Sequence, residues 1–253
     1  MKNLLGVILL MGFFSSGVLS AATRGDVRVL EAADSIRFTS SKLAKEYLLY
    51  LQFPRKHRLK TLLRDNLSTL ESDMHDIAVS TKDPKTKGVL KFFAYEKVQI
   101  ASLLQHRPTI KDSKEILDFS ESYVEGATAI AKRHQYTPAP EEAMWILTRT
   151  MDQILEEIIK YYLAARVIKD DPELKLKMRE AMKHFSSALT TVNAYPYTGE
   201  LKQVRDNINV LWNTLTTYLG KLDTLPLPLI GTLMGEQLEI SIDTLGVYHS
   251  TNQ

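Results

Sequence analysis

Glutamate and histidine stand one helical turn apart twice in this chain, as Glu71 with His75 and Glu180 with His184. At i and i+4 both side chains share a helix face and could fill two coordination positions of a metal ion. A site needs further donors, and none of the 6 histidines is spaced from another as a ligand pair. The two pairs also do not superpose when the chain is laid over itself, so solvated helix contacts are the expectation. Met74 and Met182 could each serve a haem together with a histidine. They fall on apolar stripes at positions that leucine fills in the other copy of a repeat, which points to core packing. With no cysteine, disulfides, thiolate metal sites and covalent c-type haem attachment are excluded. No Gly-x-Ser-x-Gly, phosphate loop or His-Glu-x-x-His occurs. No residue set reads as catalytic, and the expectation is a non-enzyme without a cofactor.

The elements that must position any site come from an internal repeat. Laid over itself at a shift of 115, the chain matches Tyr47 with Tyr162, Leu48 with Leu163, Leu59 with Leu174 and Leu63 with Met178. Leu67 then meets Met182, Leu70 meets Phe185, Met74 meets Leu189 and Ile77 meets Val192. Beyond this the shift is expected to drop to 111, where Gly88-Val-Leu-Lys meets Gly199-Glu-Leu-Lys. A repeat of this length implies two copies of one supersecondary unit.

Apolar positions 59, 63, 67, 70, 74 and 77 form one stripe of a helix. Nothing comparable alternates with period two, so no sheet is expected. Eight helices are expected, at 26–53, 57–80, 87–106, 111–134, 141–168, 172–193, 199–221 and 230–248. Asp171-Pro172-Glu173 supplies a cap, a proline at the first helical position and an early acid. Gln135–Pro140 reads as a linker. The fold class is all-α, two tandem up-and-down four-helix bundles over 24–134 and 141–250, with the bundles expected end to end.

The first 22 residues read as a signal peptide: Lys2, an apolar run over Leu4–Phe14, then small residues, with cleavage near 20–22. The expected location is therefore the periplasm. Net charge is +2 with no basic stripe, which argues against nucleic acid as a partner.

Ser40-Ser-Lys-Leu-Ala-Lys-Glu-Tyr47, with Ala33 and Arg37 before it and the stripe helix after it, resembles the N-terminal domain of type IV pilus methyl-accepting chemotaxis transducers. That family includes the PilJ-like and NarX-like sensor domains. Ala33, Arg37, Ser40, Ala44, Lys45 and Tyr47 match its first-helix pattern, and Lys42 replaces an arginine. Asp34 and Ser35 depart from it. In the second copy Asp152 stands where Arg37 does and Leu155 where Ser40 does.

The resemblance implies a site. In the nitrate sensors of the family, an arginine followed by Met-x-Ser contacts the anion near a subunit interface, and Arg37-Phe-Thr-Ser40 is similar. It implies ligand-binding residues Arg37, Ser40 and Lys42, a small anionic ligand and an inert second copy. A guanidinium fork suits a planar oxyanion. The opposing expectation is an Arg37 paired with a neighbouring acid. The functional expectation is a non-enzymatic periplasmic sensory module, and with no second apolar span in the sequence it would act through a membrane-bound receptor. The competing expectation is a structural adaptor of a pilus, flagellar or envelope complex. An aromatic groove around Tyr161 and Trp212 is the alternative pocket.

Overall fold

A computed structural model describes residues 24–221 and 228–252; the expected signal peptide lies outside them. The described residues form eight helices and no strand. They are α1 (Arg24–Gln52), α2 (His57–Ser80), α3 (Pro84–Leu103), α4 (Ile110–Ala131), α5 (Pro140–Val167), α6 (Glu173–Ala194), α7 (Gly199–Leu219) and α8 (Pro228–Thr251). No helix among them is long and apolar enough to cross a membrane.

Local chemistry sets the helix starts. Asp83 accepts from the Lys85 and Thr86 amides, with Pro84 at the first position of α3. Thr109 accepts from the Asp112 amide to open α4. The Asp171 carboxylate accepts from the Glu173 amide at 3.0 Å, but α6 starts one residue later than its sequence implies, with Pro172 at the cap and Glu173 first in the helix. Glu142 reaches back to the Ala139 amide ahead of α5.

The stripes are buried as expected. Leu59, Leu63, Leu70, Met74 and Ile77 line the inner face of α2, and Leu174, Met178, Phe185, Leu189 and Val192 that of α6. The repeat, however, keeps one shift of 115 to its end. Pro84 opens α3 and Gly199 opens α7, and buried Phe93, Ile100 and Leu104 match Ile208, Leu215 and Leu219. In the last helices Tyr123, Ala127, Ile130 and His134 match Leu238, Ile242, Leu245 and His249. The expected drop to 111 is thus corrected. Gly88 and Gly199 share a type but not a position, because buried residues, not glycines, carry the register.

Helix α1 packs against α2, α4 and α5, and α5 packs against α6, α8 and α1. Contacts of α2 with α3, α3 with α4, α6 with α7, and α7 with α8 close the rest. The two halves therefore meet along their first helices, side by side rather than end to end. These two helices run parallel. Tyr136 bonds Glu142 at the start of α5 and feels Glu31 and Asp34 near the start of α1. At the far end Tyr47 bonds Asp112, and nearby Lys114 pairs with Asp170 beyond α5. A twofold relation along α1 and α5 follows from the repeat and this parallel contact.

Close approach of α8 to α5 depends on two small residues. A Cβ at Gly231 would lie 3.0 Å from the Tyr162 ring, and one at Gly235 3.0 Å from Ile159. Elsewhere the core is aromatic: Phe93 stacks on Tyr123 at 4.4 Å, and Phe185 packs at a tilt against Trp212 at 4.2 Å.

Candidate functional site

Helix α1 is enclosed on three sides, yet its middle reads Thr39-Ser-Ser-Lys-Leu-Ala-Lys-Glu46. Six of these eight residues are polar, and all but Lys42 are buried. A polar run so enclosed must find partners within the protein. Lys45 and Ser41 find theirs on α5, Ser40 on its own helix and Glu46 on α2.

The Lys45 ammonium donates to Glu156 Oε1 at 2.5 Å, both side chains being buried. The Lys160 ammonium donates to the Ser41 hydroxyl at 3.4 Å and to that of Ser120 at 3.2 Å. Lys45 and Lys160 are repeat equivalents, and so are Ser41 and Glu156. The two contacts are therefore one contact seen twice: a lysine reaching the residue one turn earlier on the opposite helix. In one direction the acceptor is a carboxylate, in the other a hydroxyl.

The charges respond accordingly. Burial alone would lower the pKa of Lys45, but Glu156, with help from Glu239 and Glu46, outweighs it and the net direction is up. Burial pushes the Lys160 ammonium below the ordinary lysine value. It also lifts the Glu46 carboxyl to about 7, where the Asn66 amide donates to it at 2.6 Å. Asp152 is raised to about 9, first by burial and then by Asp243 and Glu239. One oxygen each of Asp152 and Glu156 is buried without a hydrogen-bond partner.

The three expected site residues lie along the same helix. Arg37 is bonded within its own helix to Asp34. The Ser40 hydroxyl donates to the Arg37 carbonyl at 3.1 Å, so its proton is directed into the backbone. Lys42 is half-buried, its ammonium 5.2 Å from the Phe38 ring and within the field of Glu46 and Glu239. Arg37 and Ser40 are joined through one carbonyl, and Lys42 serves the acids of the seam. Asp34, where the resembled pattern has glycine, is thus the residue that occupies the guanidinium. Asp152, at the Arg37 position of the second copy, faces the acids Asp243 and Glu239.

The other expected sites separate as well. Glu71 pairs with Lys97 at 2.6 Å. Met74 is in the core and Met182 packs against it. Tyr161 donates to Glu121, which Lys177 also holds, whereas Trp212 donates to Ser186. The two aromatics of the expected groove therefore sit in different clusters. Among the described residues, no group of three or more His, Asp or Glu is placed to hold a metal ion.

A second polar arrangement closes the end of each half. His134 Nδ1 lies 2.8 Å from Asp26, and His249 Nδ1 lies 2.8 Å from Glu141. Both histidines and both acids are repeat equivalents. Each histidine follows or ends the last helix of its half, and each acid sits in the first turn of the first helix. That placement suits both helix dipoles. The second clasp is more complete: the Tyr197 hydroxyl bonds His249 Nε2 at 2.6 Å, and Tyr195 donates to Glu141. In the first clasp His134 Nε2 is buried without a partner. A tyrosine, histidine and glutamate in series could relay a proton. His249 is fully buried and ringed by Tyr195, Tyr197 and Tyr248, so the series ties helices together. Sequence reasoning missed both clasps because a shift of 111 takes His134 away from His249.

Comparison with protein-family models, with curated proteins and with solved structures returns no match to this chain.

Proposed function

We propose that the chain is a non-enzymatic, exported interaction module, built as two repeated up-and-down four-helix bundles over 24–134 and 141–250. It acts as an adaptor to an envelope complex or a membrane-bound receptor. The observation that supports this best is the state of the seam. Its cations are occupied from within: Arg37 by Asp34, Lys45 by Glu156 and Lys160 by two hydroxyls. A seam of this kind fastens two bundles into one rigid body, and rigidity is what an adaptor needs. Crosslinking in intact cells, from photoreactive side chains placed on exposed helix faces, tests it. The expected product joins the chain to an envelope or membrane protein; intact chain recovered uncrosslinked from every face would overturn the proposal.

A second reading, sensing of a small anion, draws on Arg37, whose buried Nε has no partner, and on the resemblance of its helix to the PilJ/NarX-like sensor domains. An oxyanion would displace Asp34 and be held by Arg37, Ser40 and Lys42. At a hundred times its dissociation constant, such a ligand would stabilise the fold by about 2.7 kcal/mol. Thermal-shift screening against nitrate, nitrite and small carboxylates separates the readings, because the adaptor predicts no shift and the sensor a shift that Arg37→Ala removes.

A further inference from the structure

The two halves differ on the outer face of their last helices. Leu233, Ile240 and Val247 of α8 are exposed at 58%, 59% and 62%. Under the repeat they match Asp118, Glu125 and Lys132 of the first half, which are also exposed. Leu229 and Ile230, the other exposed apolar residues of α8, match Lys114 and Glu115. Each large apolar residue exposed on α8 therefore stands where the other copy carries a charge. The fold tolerates charge on this face, so its own packing does not demand aliphatic residues there. Leu233, Ile240 and Val247 fall seven residues apart, the spacing of an interhelical seam, and span about 21 Å.

We propose that this face of α8 docks an amphipathic helix of a partner protein, one with aliphatic residues at heptad spacing and lysine or arginine between them. Charge complementarity selects that occupant. Helix α8 has no lysine or arginine, and its exposed Glu236 and Asp243 each follow an aliphatic rung by three residues, after Leu233 and Ile240. A second copy would set these acids against their own kind with no base on α8 to relieve them. An anionic bilayer would be repelled by the same acids. The proposal names the surface of the adaptor reading and rests on it.

The test uses the full chain and a synthetic helical peptide of about 28 residues, with leucine at the seam positions and lysine or arginine between them. A second peptide carries glutamate in place of the bases. Fluorescence anisotropy should register binding of the basic peptide, weakened by about 0.5 M salt. The acidic peptide should not bind. The variant Leu233→Asp/Ile240→Glu/Val247→Lys gives α8 the charges that the first half carries at the same repeat positions, so its helical spectrum should be unchanged and its peptide affinity at least about tenfold lower. Should it misfold, Ile240→Glu alone carries the same comparison. Failure of the basic peptide to bind, equal binding of both peptides, or equal binding by parent and variant would each overturn the proposal. So would a parent dimer that the variant dissolves, or sedimentation with phosphatidylglycerol vesicles that the variant abolishes. Crosslinks to an envelope protein from faces other than α8 would overturn this surface while leaving the adaptor reading intact.

Discussion

Lys45 and Lys160 occupy one position of the repeat and are held in opposite ways. Lys45 meets a carboxylate and its pKa is raised; Lys160 meets two hydroxyls and its pKa is lowered. They differ at the position both reach, Ser41 on one helix and Glu156 on the other, and at the residues around it: Gly235 stands where Lys160 finds Ser120, and Val124 where Lys45 feels Glu239. The repeat thus shares the lysine and the geometry, and the groups around each lysine set its charge.

The largest effect should come from removing the Glu156 acceptor. Glu156→Ala leaves Lys45 buried without its counter-ion, which costs about 3–5 kcal/mol in comparable buried pairs. Lys160→Met, of similar length and without a charge to desolvate, should cost under about 1.5 kcal/mol or stabilise. Urea denaturation of the full chain compares them. Equal losses would show that Lys160 is held as a charged partner too, and would break the contrast.

Titration sharpens the comparison of the halves. Glu46 and Glu96 in the first half are both lifted by burial to about 7, and Asp152 in the second to about 9. A raised carboxyl stabilises the fold fully below its unfolded value and loses that contribution as pH rises through the folded one. Stability should therefore fall from about pH 4 to about 9, more steeply up to about 7, where all three carboxyls contribute, and through Asp152 above that. Each proton involved contributes a slope of up to about 1.4 kcal/mol per pH unit. Glu46→Gln with Glu96→Gln should reduce the slope below about pH 7, and Asp152→Asn should remove the fall between about 7 and 9. A fall unaffected by these substitutions would place the titration elsewhere.

The end clasps give a smaller effect. Tyr197→Phe leaves His249 Nε2 without a partner, the state His134 already has. The expected loss is about 1–3 kcal/mol by denaturation, for one buried acceptor or donor left unpaired. His134→Phe removes a group already half unpaired and should cost less. The reverse order would mean that the first clasp is the stronger.

The helices were legible in the sequence because apolar stripes and caps are local. The stripe from Leu59 to Ile77 declares itself within a few turns, and Asp171-Pro172 marks the start of α6 to within a residue. The side-by-side seam was not legible, since it depends on which face of α1 meets α5. In the sequence a lysine such as Lys45 or Lys160 looks the same whether it snorkels to water or meets a distant acceptor on another helix. The clasps depended on register: with one shift of 115 the pairs Asp26/His134 and Glu141/His249 align at once, and with a shift of 111 they vanish. Arg37 and Asp34 were adjacent in plain sight, three residues apart on one face, where a pair forms without any tertiary information.

That pair yields the smallest expected change and the clearest one. Arg37 and Asp34 are partly exposed and one turn apart, so Arg37→Ala should cost about 0.3–1 kcal/mol in denaturant. Asp34→Ala should cost as little, and it frees the guanidinium as the second copy, with Asp152 at the equivalent position, never can. If the seam has any capacity for an oxyanion, Asp34→Ala will reveal it as a nitrate-dependent thermal shift that the parent chain lacks. Asp152→Ala should show none. A shift in the parent equal to that in Asp34→Ala would mean that Asp34 does not hold Arg37 in solution, and the anion reading would then outrank the adaptor.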